Sequence, residues 1–152
     1  MTKPIAKQSG KILMIVEDEV LVALMLRDEL EDAGYHVLDL TDRRDEAIAV
    51  AKASKPDLAL VDIQLAGNDD GVELAENLKG LGIPVLFISG QVNRASSART
   101  VAIGSLPKPY DAADMVLAVG YLLARLDGDP TRPQPSRLEV FEGDGFSLAP
   151  AA

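Results

Sequence analysis

Short apolar runs alternate with amphipathic stretches along most of the 152-residue chain. The apolar runs have the length and the aliphatic, partly β-branched content of strands that are buried on both faces. Between them, apolar residues recur at intervals of three and four, the spacing of one buried face of an α-helix. The predicted strands are Lys11–Val16, His36–Leu40, Leu58–Val61, Pro84–Ile88 and Ile103–Leu106, and the predicted helices lie within Ala23–Ala33, Ala47–Ser54, Val72–Lys79 and Ala112–Leu126.

This alternation predicts an α/β domain in which an open parallel sheet is covered by helices on both faces, a doubly wound arrangement. We expect residues 11–127 to form that domain and residues 1–10 to be an N-terminal extension. The tail, residues 128–152, contains four prolines and is expected to be a linker-like, disordered extension. The alternative is that Leu138–Phe141 docks on this molecule or on a neighbour as a strand or an apolar anchor.

The composition narrows the functional classes. The chain has no Cys and one His, which excludes thiolate metal sites, disulfide scaffolds and a multi-histidine metal centre. Its net charge of −9 disfavours direct binding to nucleic acid or to anionic membranes, because both would repel it. No apolar run is long enough to cross a membrane and the N-terminus lacks the apolar core of a signal peptide, so we expect a soluble, cytoplasmic protein.

Polar side chains stand where the predicted strands end. Glu17 and Asp18 follow the first strand, Asp62 the third, Ser89 the fourth, and Lys108 lies just past the fifth. Carboxyl ends of parallel strands meet at one edge of the sheet, so we expect these side chains to share a pocket. Two like charges about 4 Å apart repel by about 4 kcal/mol at an effective dielectric constant near 20, which favours a dication among the carboxylates.

Mg²⁺ takes oxygen ligands and needs few protein carboxylates, so it suits this pocket. A carboxylate nucleophile, a dication, a lysine and a hydroxyl are together the groups that phosphoryl transfer to an aspartate requires. Each residue also has an ordinary structural explanation. Glu17–Asp18 at a helix start and Ser89 before the next segment are both suited to capping.

Taken in order, these positions resemble the receiver domain of two-component response regulators. The matches are the acid pair Glu17–Asp18, then Asp62, Ser89 and the triplet Lys108–Pro109–Tyr110, each at a strand end. The resemblance covers residues 11–127 and implies a flavodoxin-like (βα)5 fold, a five-stranded parallel sheet in the order 2-1-3-4-5. It also implies a stand-alone signalling switch that catalyses only its own phosphorylation and dephosphorylation.

The resemblance assigns a role to each position. Asp62 would accept a phosphoryl group from a phosphohistidine on a sensor histidine kinase, and Ser89 and Lys108 would contact phosphoryl oxygens. The Lys108–Pro109 bond would be cis. The output would be contact with an unidentified downstream protein or with a second copy in a homodimer. The Mg²⁺ ligands would be Glu17, Asp18, Asp62 and the backbone carbonyl of Gln64.

Two departures from the family pattern affect the expected switch. Ser105 stands where receivers usually place an aromatic residue, so we expect an order–disorder change of residues 90–102 rather than a rotating ring. Leu86–Gly90 resembles a receiver subgroup named for a Phe-Ala-Thr-Gly-type motif, which often pairs with HWE-type kinases. The acid-free stretch 77–110 carries Arg94 and Arg99, which makes it a candidate surface for an acidic partner.

Two other functions remain as alternatives. One is a degenerate receiver that acts only as a binding scaffold. The other is a haloacid-dehalogenase-like phosphohydrolase, which also uses a strand-end aspartate, Mg²⁺ and a lysine. That enzyme would need a second aspartate where this chain has Gln64, and it would need a cap domain.

Overall fold

One sheet lies at the centre of the structure, which is a computed structural model that describes residues 10–65, 67, 70–90, 94–95 and 98–142. Within these residues the strand order is β2-β1-β3-β4-β5-β6. The first five strands pair in parallel, so the predicted order 2-1-3-4-5 is confirmed. The strands are β1 (Ile12–Val16), β2 (His36–Val37), β3 (Leu58–Asp62), β4 (Val85–Ser89), β5 (Gly104–Pro107) and β6 (Glu139–Val140).

Helices cover both faces of the sheet, as the doubly wound prediction requires. The described helices are α1 (Val20–Asp32), α2 (Arg44–Ser54), α3 (Gly71–Gly80) and α4 (Ala112–Leu126). The buried residues of α1 and α4 belong to one apolar cluster, which we call the first face. Those of α2 and α3 belong to a second cluster, the second face. Every residue of β3 and β4 is buried between the two, which explains the apolar runs Leu58–Val61 and Val85–Ile88 that precede their polar last residues.

The second strand is shorter than predicted. Regular pairing of β2 with β1 covers only His36 and Val37. Beyond it the chain still follows β1, because Leu38 N–H donates to the Leu13 carbonyl at 2.9 Å and Thr41 forms an isolated bridge with Val16. β2 lies at the edge of the sheet and pairs only with β1. Its irregular end therefore interrupts no pairing with a second strand.

A sixth strand extends the expected five-stranded sheet. In β6, Glu139 lies opposite Ser105 and Val140 opposite Gly104, in antiparallel register. Docking is thus the alternative that holds for the described part of the tail, which packs on this molecule at Leu138–Phe141. Burial of Leu138 and Phe141 offsets the conformational entropy lost when the segment becomes ordered. Residues 143–152 and 1–9 lie outside the described residues. None of the described helices is long and apolar enough to cross a membrane.

The start of α3 lies directly against the end of β3. Gly71 N–H donates to the Ile63 carbonyl at 2.6 Å, and the Asp70 carboxylate caps the helix by accepting from Val72 N–H at 2.8 Å. A Cβ atom on residue 71 would overlap the carbonyl of Asp62 and lie 2.6 Å from the Ile63 Cα. The absence of a side chain at residue 71 therefore determines how closely α3 approaches the aspartate at the end of β3.

We expect Gly71→Ala to lower the free energy of unfolding by about 1–3 kcal/mol, because backbone atoms have to move to admit the methyl group. Gly80→Ala is the matched control at the other end of α3, where a Cβ would meet nothing within 4 Å. It is expected to be neutral or to stabilise by about 0.5 kcal/mol through helix propensity. Urea denaturation followed by circular dichroism measures both, and equal effects of the two substitutions would contradict the steric argument.

Candidate functional site

The carboxyl ends of four neighbouring strands form one pocket of about 410 Å³. Glu17 follows β1, Asp62 ends β3, Ser89 ends β4 and Lys108 follows β5, and these strands are adjacent in the sheet. The order of parallel strands thus brings together residues that are far apart in the sequence. The residues lining the pocket are Asp18, Glu19, Asp62, Gln64, Ser89, Gly90 and Lys108.

Three carboxylates meet in this pocket. One oxygen from each of Glu17, Asp18 and Asp62 lies within 4.8 Å of the others. Glu17 and Asp62 are only 2% and 6% exposed, whereas Asp18 is exposed. Glu17 Oε1 is buried and accepts no hydrogen bond from any described residue. A cluster of hard oxygen donors that includes such an atom fits a divalent cation with a preference for oxygen, and Mg²⁺ is that type of ion.

Lys108 partly balances the negative charge. Its Nζ donates a hydrogen bond to Asp62 Oδ2 at 2.9 Å and lies 3.3 Å from Glu17 Oε1 and 3.8 Å from Glu19 Oε1. Burial acts to lower the pKa of Lys108, but the hydrogen bond to Asp62 and the charge of Glu17 outweigh it, and the pKa is raised overall. Lys108 is therefore a cation fixed beside Asp62. The Lys108–Pro109 peptide bond is cis, as the family resemblance implied.

The environment of Glu17 disfavours its ionised form. Burial, reinforced by the charge of Asp62, raises the pKa of Glu17 from 4.5 to about 7. The Glu19 N–H, which donates to Glu17 Oε2 at 3.1 Å, and the nearby Lys108 oppose this shift without cancelling it. Near neutral pH Glu17 is therefore close to the midpoint of its titration, and added positive charge in the pocket would favour its ionised form.

Backbone hydrogen bonds hold the two anion-binding groups in place. Lys108 N–H donates to the Ser89 carbonyl at 3.0 Å, which joins the end of β4 to the residue after β5. Gln64 N–H donates to Asp62 Oδ1 at 3.1 Å and orients that carboxylate toward the loop after β3. Ser89 is buried at the pocket wall. Asp62, Ser89 and Lys108 thus line one shared volume, in which a carboxylate can act as a nucleophile while an ammonium and a hydroxyl can donate to the oxygens of a transferred phosphoryl group.

All the residues that the sequence predicted for the site are brought together, and two that it did not predict join them. Glu19 and Gly90 also line the pocket. Glu19 had a signal in the sequence, since it is the third consecutive acid after β1, but Gly90 had none. Arg94 and Arg99, predicted to face an acidic partner, have contacts within the chain. Arg94 forms an ion pair with Asp70 at 2.6 Å, and Arg99 lies over an aromatic ring.

Comparison with known proteins agrees with this geometry. The family model described as the response regulator receiver domain matches residues 13–120. The chain belongs to this family. The receiver motifs at the strand ends, and the strand order, are therefore those of a two-component response regulator receiver domain, a family phosphorylated on aspartate.

Individual relatives of this receiver include the phyllosphere-induced regulator PhyR of Methylorubrum extorquens, which is 31% identical over 124 residues, 80% of this chain and 46% of the relative. The receiver domain of a modulated diguanylate cyclase from Desulfovibrio desulfuricans is 38% identical at a TM-score of 0.68, covering 75% of this chain and 94% of that one. The anti-anti-sigma factor PhyR from Bartonella quintana is 28% identical at a TM-score of 0.70, covering 82% and 52%. The receiver spans about half the length of the curated relatives it matches.

We expect the metal-free receiver to lose stability as the pH rises, relative to its Glu17→Gln variant. The raised pKa means that the neutral carboxyl is favoured in the folded state. The contribution of Glu17 to the free energy of unfolding is complete below its ordinary pKa of 4.5, and it is lost as the pH rises through about 7. The free energy of unfolding of the wild type, relative to that of Glu17→Gln, should therefore fall by about 3 kcal/mol between about pH 4 and about pH 8.

Urea denaturation in the presence of a chelator measures this difference. Glu29→Gln, at an exposed position on α1, is the matched control for the removal of one carboxylate. If the free energy of unfolding of the wild type depends on pH in the same way as that of Glu17→Gln, the pKa of Glu17 is the same in the folded and unfolded protein. That result would contradict the burial argument.

Proposed function

We propose that this receiver accepts a phosphoryl group on Asp62 from the phosphohistidine of a sensor histidine kinase, in the presence of Mg²⁺, and transmits the signal by contact with another protein. The observation that carries the proposal is the surroundings of Asp62. Its carboxylate is buried, hydrogen-bonded to Lys108 at 2.9 Å and clustered with two further carboxylates within 4.8 Å. A purely structural strand-end aspartate needs neither the lysine nor the second pair of acids.

The transfer step places each described group in a definite role. An Asp62 oxygen attacks the phosphorus, an O–P bond forms, and the P–N bond to the histidine breaks, leaving that nitrogen with its electron pair. Lys108 Nζ lies 2.9 Å from the Asp62 carboxylate. It binds a phosphoryl oxygen as the negative charge of the site moves from that carboxylate to the phosphoryl group. The Ser89 hydroxyl, at the end of the neighbouring strand, donates to a second oxygen.

The carboxylates of Glu17, Asp18 and Asp62, with the backbone carbonyl of Gln64, would hold the Mg²⁺ ion. The bound ion supplies positive charge that neutralises the carboxylates and the phosphoryl oxygens. The buried Glu17 carboxylate, whose pKa stays raised although Lys108 Nζ lies 3.3 Å from its Oε1, supports this assignment, because further positive charge would favour its ionised form.

A groove beside the site fits the approach of a protein donor. This second pocket, of about 660 Å³, opens between α1 and the start of α4 and shares Glu19 and Lys108 with the site. Leu21 and Met25 on α1 are 75% and 67% exposed. An apolar surface next to Asp62 suits a kinase that has to bring its phosphohistidine to the pocket. The resemblance of Leu86–Gly90 to the Phe-Ala-Thr-Gly subgroup favours a kinase of the HWE type.

Incubation with Mg²⁺ and acetyl phosphate should add one phosphoryl group to the chain, measured as intact mass. Asp62→Asn should abolish the gain, because an amide oxygen is not an adequate nucleophile, whereas Asp28→Asn, an exposed acid on α1, should leave it unchanged. A gain that survives Asp62→Asn would overturn the assignment of the acceptor. Steady release of phosphate from unrelated phosphomonoesters would instead favour the phosphohydrolase alternative.

Mg²⁺ should raise the melting temperature of the unphosphorylated protein, because it binds only the folded pocket. Asp18→Asn removes one ligand at the exposed side of the cluster and should raise the Mg²⁺ concentration needed for half of the shift by about tenfold, or ~1.4 kcal/mol. Asp28→Asn again serves as the control. Equal Mg²⁺ dependence of the two variants would remove Asp18 from the ligand set.

A further inference from the structure

The C-terminal strand is attached to the sheet by two buried side chains. Leu138 is 3% exposed and belongs to the apolar cluster of the first face, while Phe141 is 0% exposed and belongs to that of the second. Phe141 N–H donates to the Ile103 carbonyl at 2.9 Å. Residues 138–142, which we call the strap, therefore clasp the β5 edge from both sides of the sheet.

Apart from these two anchors, the strap is weakly held. β6 has two residues, and the preceding connector, residues 128–137, is exposed except for the half-buried Pro135. The Glu142 carboxylate pairs with both Nη atoms of Arg125 at 2.7 and 2.9 Å, and the Glu142 side chain is 67% exposed against 27% for Arg125. Solvent screens an ion pair with an exposed partner, so its contribution to stability is modest. A segment held in this way can detach without unfolding the rest of the domain.

The chain that follows β4 contacts both the strap and the site. The Arg99 guanidinium lies 5.4 Å from the centroid of the Phe141 ring. Arg94 pairs at 2.6 Å with Asp70, the residue that caps α3. The next residue after that cap, Gly71, packs against the Asp62 backbone. The buried residues of this part of the chain that share the second-face cluster with Phe141 are Ala95, Ala98 and Ala102.

The strand that pairs with the strap also leads into the site. Gly104 and Ser105 lie opposite β6, and Lys108 follows them at the end of β5. The chain after β4 starts directly beyond Ser89, the last residue of that strand. If Ser89 and Lys108 close on a phosphoryl group at Asp62, both elements that hold Phe141 are displaced at their site ends. Any such shift changes the affinity for the strap, and by linkage the strap changes the affinity of the site for its ligand.

We propose that the strap is a displaceable strand that is released when Asp62 is phosphorylated, and that its release opens the β5 edge to an extended segment of a partner protein. The inference rests on the proposed function. The uncovered surface is the β5 strand edge beside the second-face cluster that includes Ala95, Ala98 and Ala102, and Arg99 and Arg125 lie next to the strap residues Phe141 and Glu142. The matching partner segment has the side-chain order of the strap itself, namely apolar, acidic, apolar, aromatic, acidic.

A single engineered thiol tests the release, because the chain contains no Cys. Leu138→Cys places the thiol at a buried strap position, and Val140→Cys is a second, half-buried reporter that leaves both anchors intact. Ala118→Cys, which is 0% exposed on α4, reports opening of the domain elsewhere. After treatment with Mg²⁺ and acetyl phosphate, the strap thiols should react with a thiol reagent at least about tenfold faster, with Ala118→Cys unchanged.

Intact mass in the same samples separates the possible outcomes. A phosphoryl gain without faster strap reactivity overturns this inference and leaves the proposed function standing. No gain overturns both. Equal acceleration at Ala118→Cys indicates general loosening and also overturns release of the strap.

A fluorescently labelled peptide with the sequence of residues 136–142 tests the uncovered edge by fluorescence polarisation. It should bind the phosphorylated wild-type chain at least about tenfold more tightly than the unphosphorylated chain, in which the strap occupies the edge. Release of the strap without capture of the peptide would overturn the assignment of the β5 edge as a binding surface.

Discussion

Repulsion among the buried carboxylates at the ends of β1 and β3 is the constraint on which the site depends. Glu17 and Asp62 are removed from water and lie close together, and Lys108 supplies the only positive charge within contact distance among the described residues. Burial of Glu17, reinforced by the charge of Asp62, raises its pKa, and the single ammonium group of Lys108 does not cancel this shift. Additional positive charge would therefore stabilise the pocket, and a dication with a preference for oxygen ligands matches the cluster of three carboxylates.

The rest of the fold keeps these charges in place against their repulsion. The parallel register of β1, β3, β4 and β5 delivers each side chain to the same edge. Gly71 lets α3 begin directly against the Asp62 backbone, so that the loop after β3 is held from both ends. The apolar faces of the sheet supply the stabilising burial that an acidic pocket lacks.

The same architecture gives the site a route to the surface. The ion pair between Arg94 and Asp70 joins the chain after β4 to the loop after β3, and the Phe141 ring joins it to the C-terminal strand. Arg94 and Arg99, which the sequence predicted to face an acidic partner, are exposed and also take part in this connection.

The alternation of apolar runs and amphipathic stretches was sufficient to predict the doubly wound sheet, because burial on both faces requires that pattern of any sequence. It also indicated where the site would lie, since the carboxyl ends of parallel strands meet at one edge of the sheet and the acidic, hydroxyl and lysine residues follow those ends. Tertiary structure alone decided the rest. Gly90 enters the pocket wall through the packing of strands that are distant in the chain, and the choice between a disordered tail and a docked Leu138–Phe141 segment depended on the β5 edge. The sequence left that choice open, because a two-residue strand has too short a pattern to detect and its stability comes from its partners.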